Sequence, residues 1–442
     1  MVSVALDRNR PSSGLWTGRN ELAGPTTSGV LVASSTPLNT GRALAGDHTA
    51  TGGRTLMLVL ATVGFALNFW AWALLSPLAP RLRDELGLNS FQESLVVAVP
   101  VIVGSLGRIP VGALADRYGG RLMFPVVSLI TVVPVLFLGL VGHSALAALL
   151  IGGFFLGVGG TVFAVGVPFV SRWFPPEQQG LAIGVYGMGM GGTAISALTT
   201  VQLVDMGDTA TPFLLCAAAL AAYAIIAWFL LRDAPGRTAP TESMTTRLKQ
   251  TVRLPATWEA SALYAVAFGG FVAFSVYLPS YLRTAYDLSQ SDAATRMAGF
   301  VLLAVIMRPV GGWLVDRFNG PVVLATTLGF VVAAAAVQAT TPGLMPVGTI
   351  AFLVLAAALG AGSGATFGLV AQIAPPGKVG SITGFVGAAG GLGGFVPPLV
   401  MGAIYESTAD YGPGLLALAA VALAALVFTL TVVRREVARQ RS

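Results

Sequence analysis

A chain of 442 residues that is 55% hydrophobic and only 10% charged, with a mean hydropathy of +0.79, carries less than half the charge of a soluble domain, where about a quarter of residues are charged. Its apolar runs recur every 25 to 35 residues, each long enough to cross a bilayer as a helix, which excludes a soluble globular protein and points to an all-α polytopic membrane protein. The net charge of +6 and the pI of about 9.8 raise the question of an acidic partner, which the placement of the charge answers.

Residues 1–54 are rich in Ser, Thr, Gly and Pro and lack a helical period, so they read as a disordered cytoplasmic tail. The tail has no short apolar core of a cleaved leader, and the run from Leu56 is therefore a retained first span. Spans are expected near 56–80, 91–114, 121–141, 146–170, 180–203, 211–231, 260–282, 297–315, 321–340, 347–371, 380–403 and 414–433. The chain divides on this reading into a six-helix bundle over 55–231, a polar cytoplasmic linker over 232–258, a second bundle over 259–433 and a cytoplasmic tail over 434–442. The odd-numbered connections hold four Lys or Arg (Arg81, Arg83, Arg283, Arg296), two arginines stand inside spans, and nineteen of the 25 lie in the tails and even-numbered connections. The positive-inside rule then puts both termini in the cytoplasm of a cell (plasma) membrane protein, and the basic excess needs no nucleic acid to explain it. The single cysteine, Cys216, lies in an apolar run, and His48 and His143 fall in polar connections. No disulfide framework, metal site or cofactor is expected from them.

The chain repeats itself at an offset of 200 residues. "RIPVGALADRYGG" from Arg108 answers "RPVGGWLVDRFNG" from Arg308, matching Gly112, Asp116 and Arg117 with Gly312, Asp316 and Arg317. "PPEQQGLAIGVYGMGMGG" from Pro175 answers "PPGKVGSITGFVGAAGGLGG" from Pro375, aligning Gly180, Gly184, Gly187 and Gly191 with Gly380, Gly384, Gly387 and Gly391. Two pseudo-symmetric halves of this kind mark alternating-access transporters, with substrate held at their interface near the midplane. "GALADRYGGR" resembles the cytoplasmic loop motif of the major facilitator superfamily, and the likeness extends from about Leu56 to Arg434. It implies the twelve-helix major facilitator fold.

Arg108 and Arg308 each stand eight residues before the rim aspartate, roughly 12 Å deep at 1.5 Å per residue. That is too deep for easy snorkelling, and an arginine near the bilayer centre costs at least about 2.5–3.5 kcal/mol. All 19 Asp and Glu lie in tails, connections or span ends; Glu93, Asp205, Glu259 and Glu406 are nearest the apolar runs. With no carboxylate at their depth, the two guanidiniums are expected to hold a small anion with planar, bidentate forks. The glycine runs let helices approach closely. Gly187 and Gly191 are expected to narrow the binding cavity, and Gly112, Gly312, Gly387 and Gly391 to let the halves rock. "GMGMGG" follows no strand and has no acidic residue some 20 positions on, so it is not a dinucleotide-binding loop. Asp116, Arg117, Asp316 and Arg317 are expected to form rim ion pairs that break on opening.

"GFVGAAGGLGGFVPPLVMG" from Gly384 and "FAVGVPFVSRWFPPEQQGLAIGVYG" from Phe163 resemble the eleventh-span and fourth-to-fifth-span regions of the nitrate/nitrite porters. The resemblance implies that Arg108 and Arg308 clasp nitrate or nitrite between aromatic walls at Phe163, Tyr264 and Phe268. Members commonly carry an asparagine in the fifth-span run at the position of Gly191, so one hydrogen-bond donor is absent here. No carboxylate or histidine lies in the middle of a span, and arginine keeps its proton, which favours nitrate/nitrite exchange over proton coupling. Two buried arginines do not suit a drug exporter, and neither tails nor linker supply the output domain or catalytic cluster of a sensor or enzyme. Proton-coupled nitrate uptake and a carrier of another small anion, such as cyanate or a short carboxylate, stay open. The expected partners are that anion and the lipid bilayer, and nothing in the chain demands more than a monomer.

Overall fold

The computed structural model describes residues 40–435 except 89, 238–241 and 376. Two units divide the chain, Met1–His48 and Thr49–Ser442. Of the first, only the opening of a helix at Thr40 is described. Residues 1–39 of the expected N-terminal tail and 436–442 of the expected C-terminal tail lie outside the described residues.

Among the described residues, twelve helices are long and apolar enough to cross a membrane: Gly53–Ala79, Leu95–Tyr118, Gly120–Leu140, Leu146–Trp173, Pro176–Met206, Thr211–Leu230, Pro255–Ser275, Thr295–Arg317, Gly320–Ala339, Leu344–Ile373, Val379–Pro397 and Gly412–Val433. All twelve expected spans are met. The helices outlast their apolar runs, because backbone hydrogen bonding continues into the polar rim after hydrophobicity stops. The second span, expected to end near 114, is helical through Tyr118 and so carries Asp116 and Arg117 on its last turn. The linker also holds a helix that apolar periodicity did not announce. Met244–Val252 is capped by Ser243, whose Oγ accepts the Thr246 N–H at 3.3 Å. The seventh helix then opens at Pro255, a residue suited to a first helical turn.

Within each half the outer helices pair, third with sixth and ninth with twelfth. Between halves the second span packs on the eleventh, and its repeat mate, the eighth, packs on the fifth. The fourth packs on the eleventh as the tenth packs on the fifth. The outward faces keep large apolar side chains uncovered, among them Phe229 at 73% exposure and Val133 at 68%, as a lipid-facing surface requires. Since lipid tails are as apolar as leucine, helix contacts here depend on close packing of small residues rather than on escape from water.

The glycine ladders supply that packing. Gly180, Gly184 and Gly187 form the face of the fifth span against which the eighth lies, and Gly380, Gly384 and Gly387 do the same for the second. A Cβ on Gly184 would stand 2.6 Å from Pro309 Cα, and one on Gly380 2.7 Å from the Gly112 carbonyl oxygen. A Cβ on Gly312 would run into the Gly180 carbonyl. These residues are glycine because backbone meets backbone across the halves.

On the side where the linker lies, each half sends an aspartate into the other. Asp116, fully buried, accepts the Gly380 and Ser381 N–H groups at 3.2 and 2.9 Å and the Ser381 hydroxyl at 3.1 Å. Those amides stand in the first turn of the eleventh span, where N–H groups have no intrahelical acceptor and the helix dipole favours negative charge. Asp316 takes the Gly180 and Leu181 N–H groups, both at 2.7 Å, just past the first turn of the fifth span. Among the described residues, Asp116 forms rim ion pairs of the expected kind and the other three motif residues do not. Asp116 pairs with Arg172 at 3.2 Å and with Arg247 of the linker helix at 2.8 Å, not with the motif arginines. Asp316 is engaged by backbone amides. Arg117 and Arg317 lie over the rings of Tyr118 and Trp313, 5.6 and 5.8 Å from the centroids. The physical reason is direction: the aspartates point inward to the partner half, while the arginines that follow them point outward.

Two outcomes follow for thermal unfolding in detergent. Gly180→Ala forces backbone apart and should lower the midpoint, overpacking of this kind being worth about 1–3 kcal/mol. Gly329→Ala, whose Cβ would meet nothing within 4 Å, should leave it unchanged or raise it. Asp116→Asn should lower the midpoint more than Asp316→Asn. The first strands two guanidiniums, one of them only 4% exposed, and the second strands none. Removing one member of a buried pair costs about 3–5 kcal/mol.

Candidate substrate site

Arg108 and Arg308 sit at the same depth on the second and eighth spans, each followed within two residues by a proline, Pro110 and Pro309. Each proline lacks the N–H that would close its helical turn and so loosens the helix beside the arginine. Both arginines are buried, 2% and 3% exposed, and both reach into the opposite half. Arg108 donates from Nε to the Gly160 carbonyl at 3.1 Å and from Nη1 to the Gly387 carbonyl of the eleventh span at 2.7 Å. Arg308 donates from Nη1 to the Met190 sulfur of the fifth span at 2.7 Å and from Nη2 to the Tyr264 hydroxyl at 3.3 Å. Its Nε is buried without a partner. Among the described residues no carboxylate pairs with either arginine.

The glycines expected near the site make room for the arginines. A Cβ on Gly187 would stand 2.7 Å from Arg308 Nε, and one on Gly387 would stand 2.9 Å from Arg108 Cδ. Gly391 lies against the side chain of Ser105. Gly191 lies beside Val305, whose Cγ1 would be in ordinary van der Waals contact with an added Cβ at 3.9 Å.

Around the guanidiniums the rings form one stack. Tyr264 and Phe268, one helical turn apart on the seventh span, are parallel with centroids 4.8 Å apart, and Phe163 from the fourth span lies parallel to Tyr264 at 6.3 Å. Arg108 stands over Phe163 at 5.5 Å and Phe268 at 6.0 Å, and Arg308 stands over the same Phe268 at 5.7 Å. Phe268 is therefore the wall shared by both charges. The ring faces are electron-rich and attract the guanidiniums. An anion between the forks would instead meet N–H groups, ring edges and the Tyr264 hydroxyl. Of the seven residues singled out for the site, the two arginines, Phe163, Tyr264, Phe268 and Gly187 come together here, and Gly191 lies beside Val305 instead.

Three further participants were not anticipated. Phe367 of the tenth span sets its edge on Phe163 and Tyr264 at 4.7 and 4.5 Å, and Phe69 of the first span faces Arg108 at 6.0 Å. Met190 holds Arg308. No sequence signal singled them out: at the 200-residue offset Met190 faces Gly390, Phe69 faces Gly269 and Phe367 faces Val167, mismatches like many others between the halves. The fourth and fifth spans also tighten into 3₁₀ turns at Gly157–Thr161 and Met188–Gly191, whereas their repeat mates are continuous α-helices, Thr349–Ile373 and Val379–Thr408. Such mid-helix turns mark hinges. From Phe69, Met190 and Phe268 a largely apolar cavity of about 190 Å³ runs between the halves toward the side away from the linker. Among the described residues, no group of three or more His, Cys, Asp or Glu is placed to hold a metal ion.

Comparison with known proteins agrees with this architecture. The profile of the Major Facilitator Superfamily matches residues 61–398 and 297–442. The probable nitrate/nitrite transporter NarK2 of Mycobacterium tuberculosis is 48% identical over 394 residues, covering 88% of this chain and 99% of that protein. The nitrite extrusion protein of Bacillus subtilis is 34% identical over 380 residues, covering 85% and 93%. Among solved structures, the human organic anion transporter MFSD10 (TETRAN) superposes with a TM-score of 0.73 at 14% identity, over 85% of this chain and 99% of that one. FucP in the outward conformation superposes at 0.69 with 18% identity, over 85% and 98%, and both likenesses are of fold alone. The chain belongs to the Major Facilitator Superfamily and, within it, to the nitrate/nitrite porter family.

Proposed function

We propose that this protein carries nitrate and nitrite across the plasma membrane by alternating access, as a monomer with the linker and both termini in the cytoplasm. The observation that carries the reading is the pair of mid-depth guanidiniums, each donating across to the opposite half and neither meeting a carboxylate among the described residues. The names of the 48% and 34% identical relatives supply the anion, and the concentration of Lys and Arg on the linker side supports the orientation.

In the described conformation the anion enters through the cavity away from the linker and meets Arg308 and Arg108 above the Phe268 face. A planar oxyanion accepts charge-assisted hydrogen bonds from both forks and halves the buried positive charge, two guanidiniums against one negative ion. With that charge reduced and the two guanidiniums bridged the halves rock. The contacts of Asp116 with the eleventh span and of Asp316 with the fifth then open on the cytoplasmic side, where Gly112, Gly180, Gly312 and Gly380 set the spacing. An empty carrier making the same passage keeps two like charges in a low-dielectric interior, so return is fast only when loaded. No carboxylate or histidine stands mid-span to relieve that charge by proton uptake. The cycle is exchange of nitrate for nitrite.

Purified protein in liposomes tests this. Labelled nitrate uptake is expected with nitrite inside and not into empty vesicles. Uptake into empty vesicles driven by a pH gradient would keep the substrate and overturn exchange, and no nitrate movement under any condition would assign the arginines to another anion. Arg308→Lys and Arg108→Lys should each lower the exchange rate by about 10- to 100-fold, since an ammonium cannot reproduce a bidentate fork. Tyr264→Phe should raise KM about threefold while leaving the stacked ring in place.

A further inference from the structure

Arg308 and Arg108 are repeat mates, yet they are held differently. Arg108 is fastened to two backbone carbonyls, strong acceptors that a side-chain rotation cannot withdraw. Arg308 is held by side chains alone, and the shorter of its two contacts is to the thioether of Met190. A thioether is a weak acceptor on a flexible chain with three rotatable bonds. Nothing replaces Met190 in the other half, where Gly390 lies against the Tyr264 and Phe268 rings. Met190 also stands in the 3₁₀ turn Met188–Gly191 and lines the cavity that leads to the site.

We infer that Met190 is a positioning residue that occupies the Arg308 Nη1–H of the unloaded carrier and that the arriving anion displaces. The thioether keeps a buried donor from going unsatisfied while no anion is present. It yields because a charge-assisted bond to an oxyanion is stronger than one to sulfur. The cavity that Met190 lines leaves room for the side chain to move. Met190 thereby sets anion affinity by competition. It weakens binding and helps release on the far side, and the second, fixed fork of Arg108 keeps the anion oriented meanwhile. The inference rests on the assignment of Arg308 as an anion ligand.

The test compares wild type with Met190→Leu, which keeps the volume and removes the acceptor, and with Met190→Glu, which supplies a tethered carboxylate. Nitrate exchange is followed over a range of nitrate concentrations in nitrite-loaded liposomes, and thermal midpoints are read in detergent with and without nitrate. Met190→Leu is expected to lower KM by about three- to tenfold, because the anion no longer competes with sulfur, and to leave the maximal rate equal or reduced. Met190→Glu is expected to raise the nitrate-free midpoint and to abolish both the nitrate-induced shift and exchange. A side chain that only packed would give the reverse signs, a higher KM for the first variant and a lower midpoint for the second. Unchanged or raised KM in Met190→Leu, with wild type active, overturns the displacement role while leaving the anion site standing. Wild type that neither exchanges nor is stabilised by nitrate or nitrite overturns the site assignment and this inference with it. Should Met190→Leu fail to fold, Met190→Ala serves as the acceptor-free arm with the same expected sign.

Discussion

Two guanidiniums held about 12 Å below the rim, without a carboxylate, are the constraint to which the rest of the interior answers. A buried charge is tolerated when its donors are used and its surroundings are polarizable. Arg108 uses two backbone carbonyls, one of them in the 3₁₀ turn Gly157–Thr161. The aromatic stack turns its electron-rich faces toward both charges, and Phe268 serves the pair. Gly187 and Gly387 exist to let the arginine stems pass. What remains unsatisfied, chiefly Arg308 Nε and its weak contact to sulfur, is the capacity left over for an anion.

The same two helices carry the rim aspartates, so the arginine pair and the contacts on the linker side are held by one pair of helices. Asp116 and Arg108 share the second span, and Asp316 and Arg308 share the eighth. Each aspartate binds amide groups in the first two turns of a helix in the other half, and a glycine pair brings the backbones close enough for it to do so. Among the described residues the linker joins in on the Asp116 side. Arg247 bridges Asp116 and the Gly377 carbonyl, and Lys378 meets Gln250 at 2.6 Å. Closure therefore depends on charge at Asp116 and on backbone geometry at Asp316.

Several departures from the internal repeat fall around the arginine pair. The 3₁₀ turns occur in the fourth and fifth spans but not in the tenth and eleventh. Tyr264 and Phe268 answer Gly64 and Asn68, and Met190 answers Gly390. A two-fold symmetric pocket would offer two identical forks. This one offers a fixed fork and a loosely held one, an arrangement suited to binding an ion that must also leave.

The amino-acid sequence by itself determined the number and place of the spans, because a bilayer demands long apolar runs and a positive cytoplasmic rim whatever the helices then do. It also exposed the two arginines, since a charge in such a run is conspicuous and the absence of a carboxylate at its depth can be checked by counting. The resemblance alone brought Phe163, Tyr264 and Phe268 to notice. Tertiary structure alone decided the partners. Phe367 and Phe69 were illegible because an aromatic residue in an apolar helix looks the same facing lipid or facing a site. The aspartates' choice of helix N-termini and of Arg172 and Arg247 over the neighbouring arginines follows from which way the last turn of each helix points. The linker helix went unseen because it is short and polar, and it is held by a cap and by contacts with residues distant in sequence. Depth and charge are properties of a residue in its own helix, whereas a contact belongs to two helices at once, and only packing brings the second one into place.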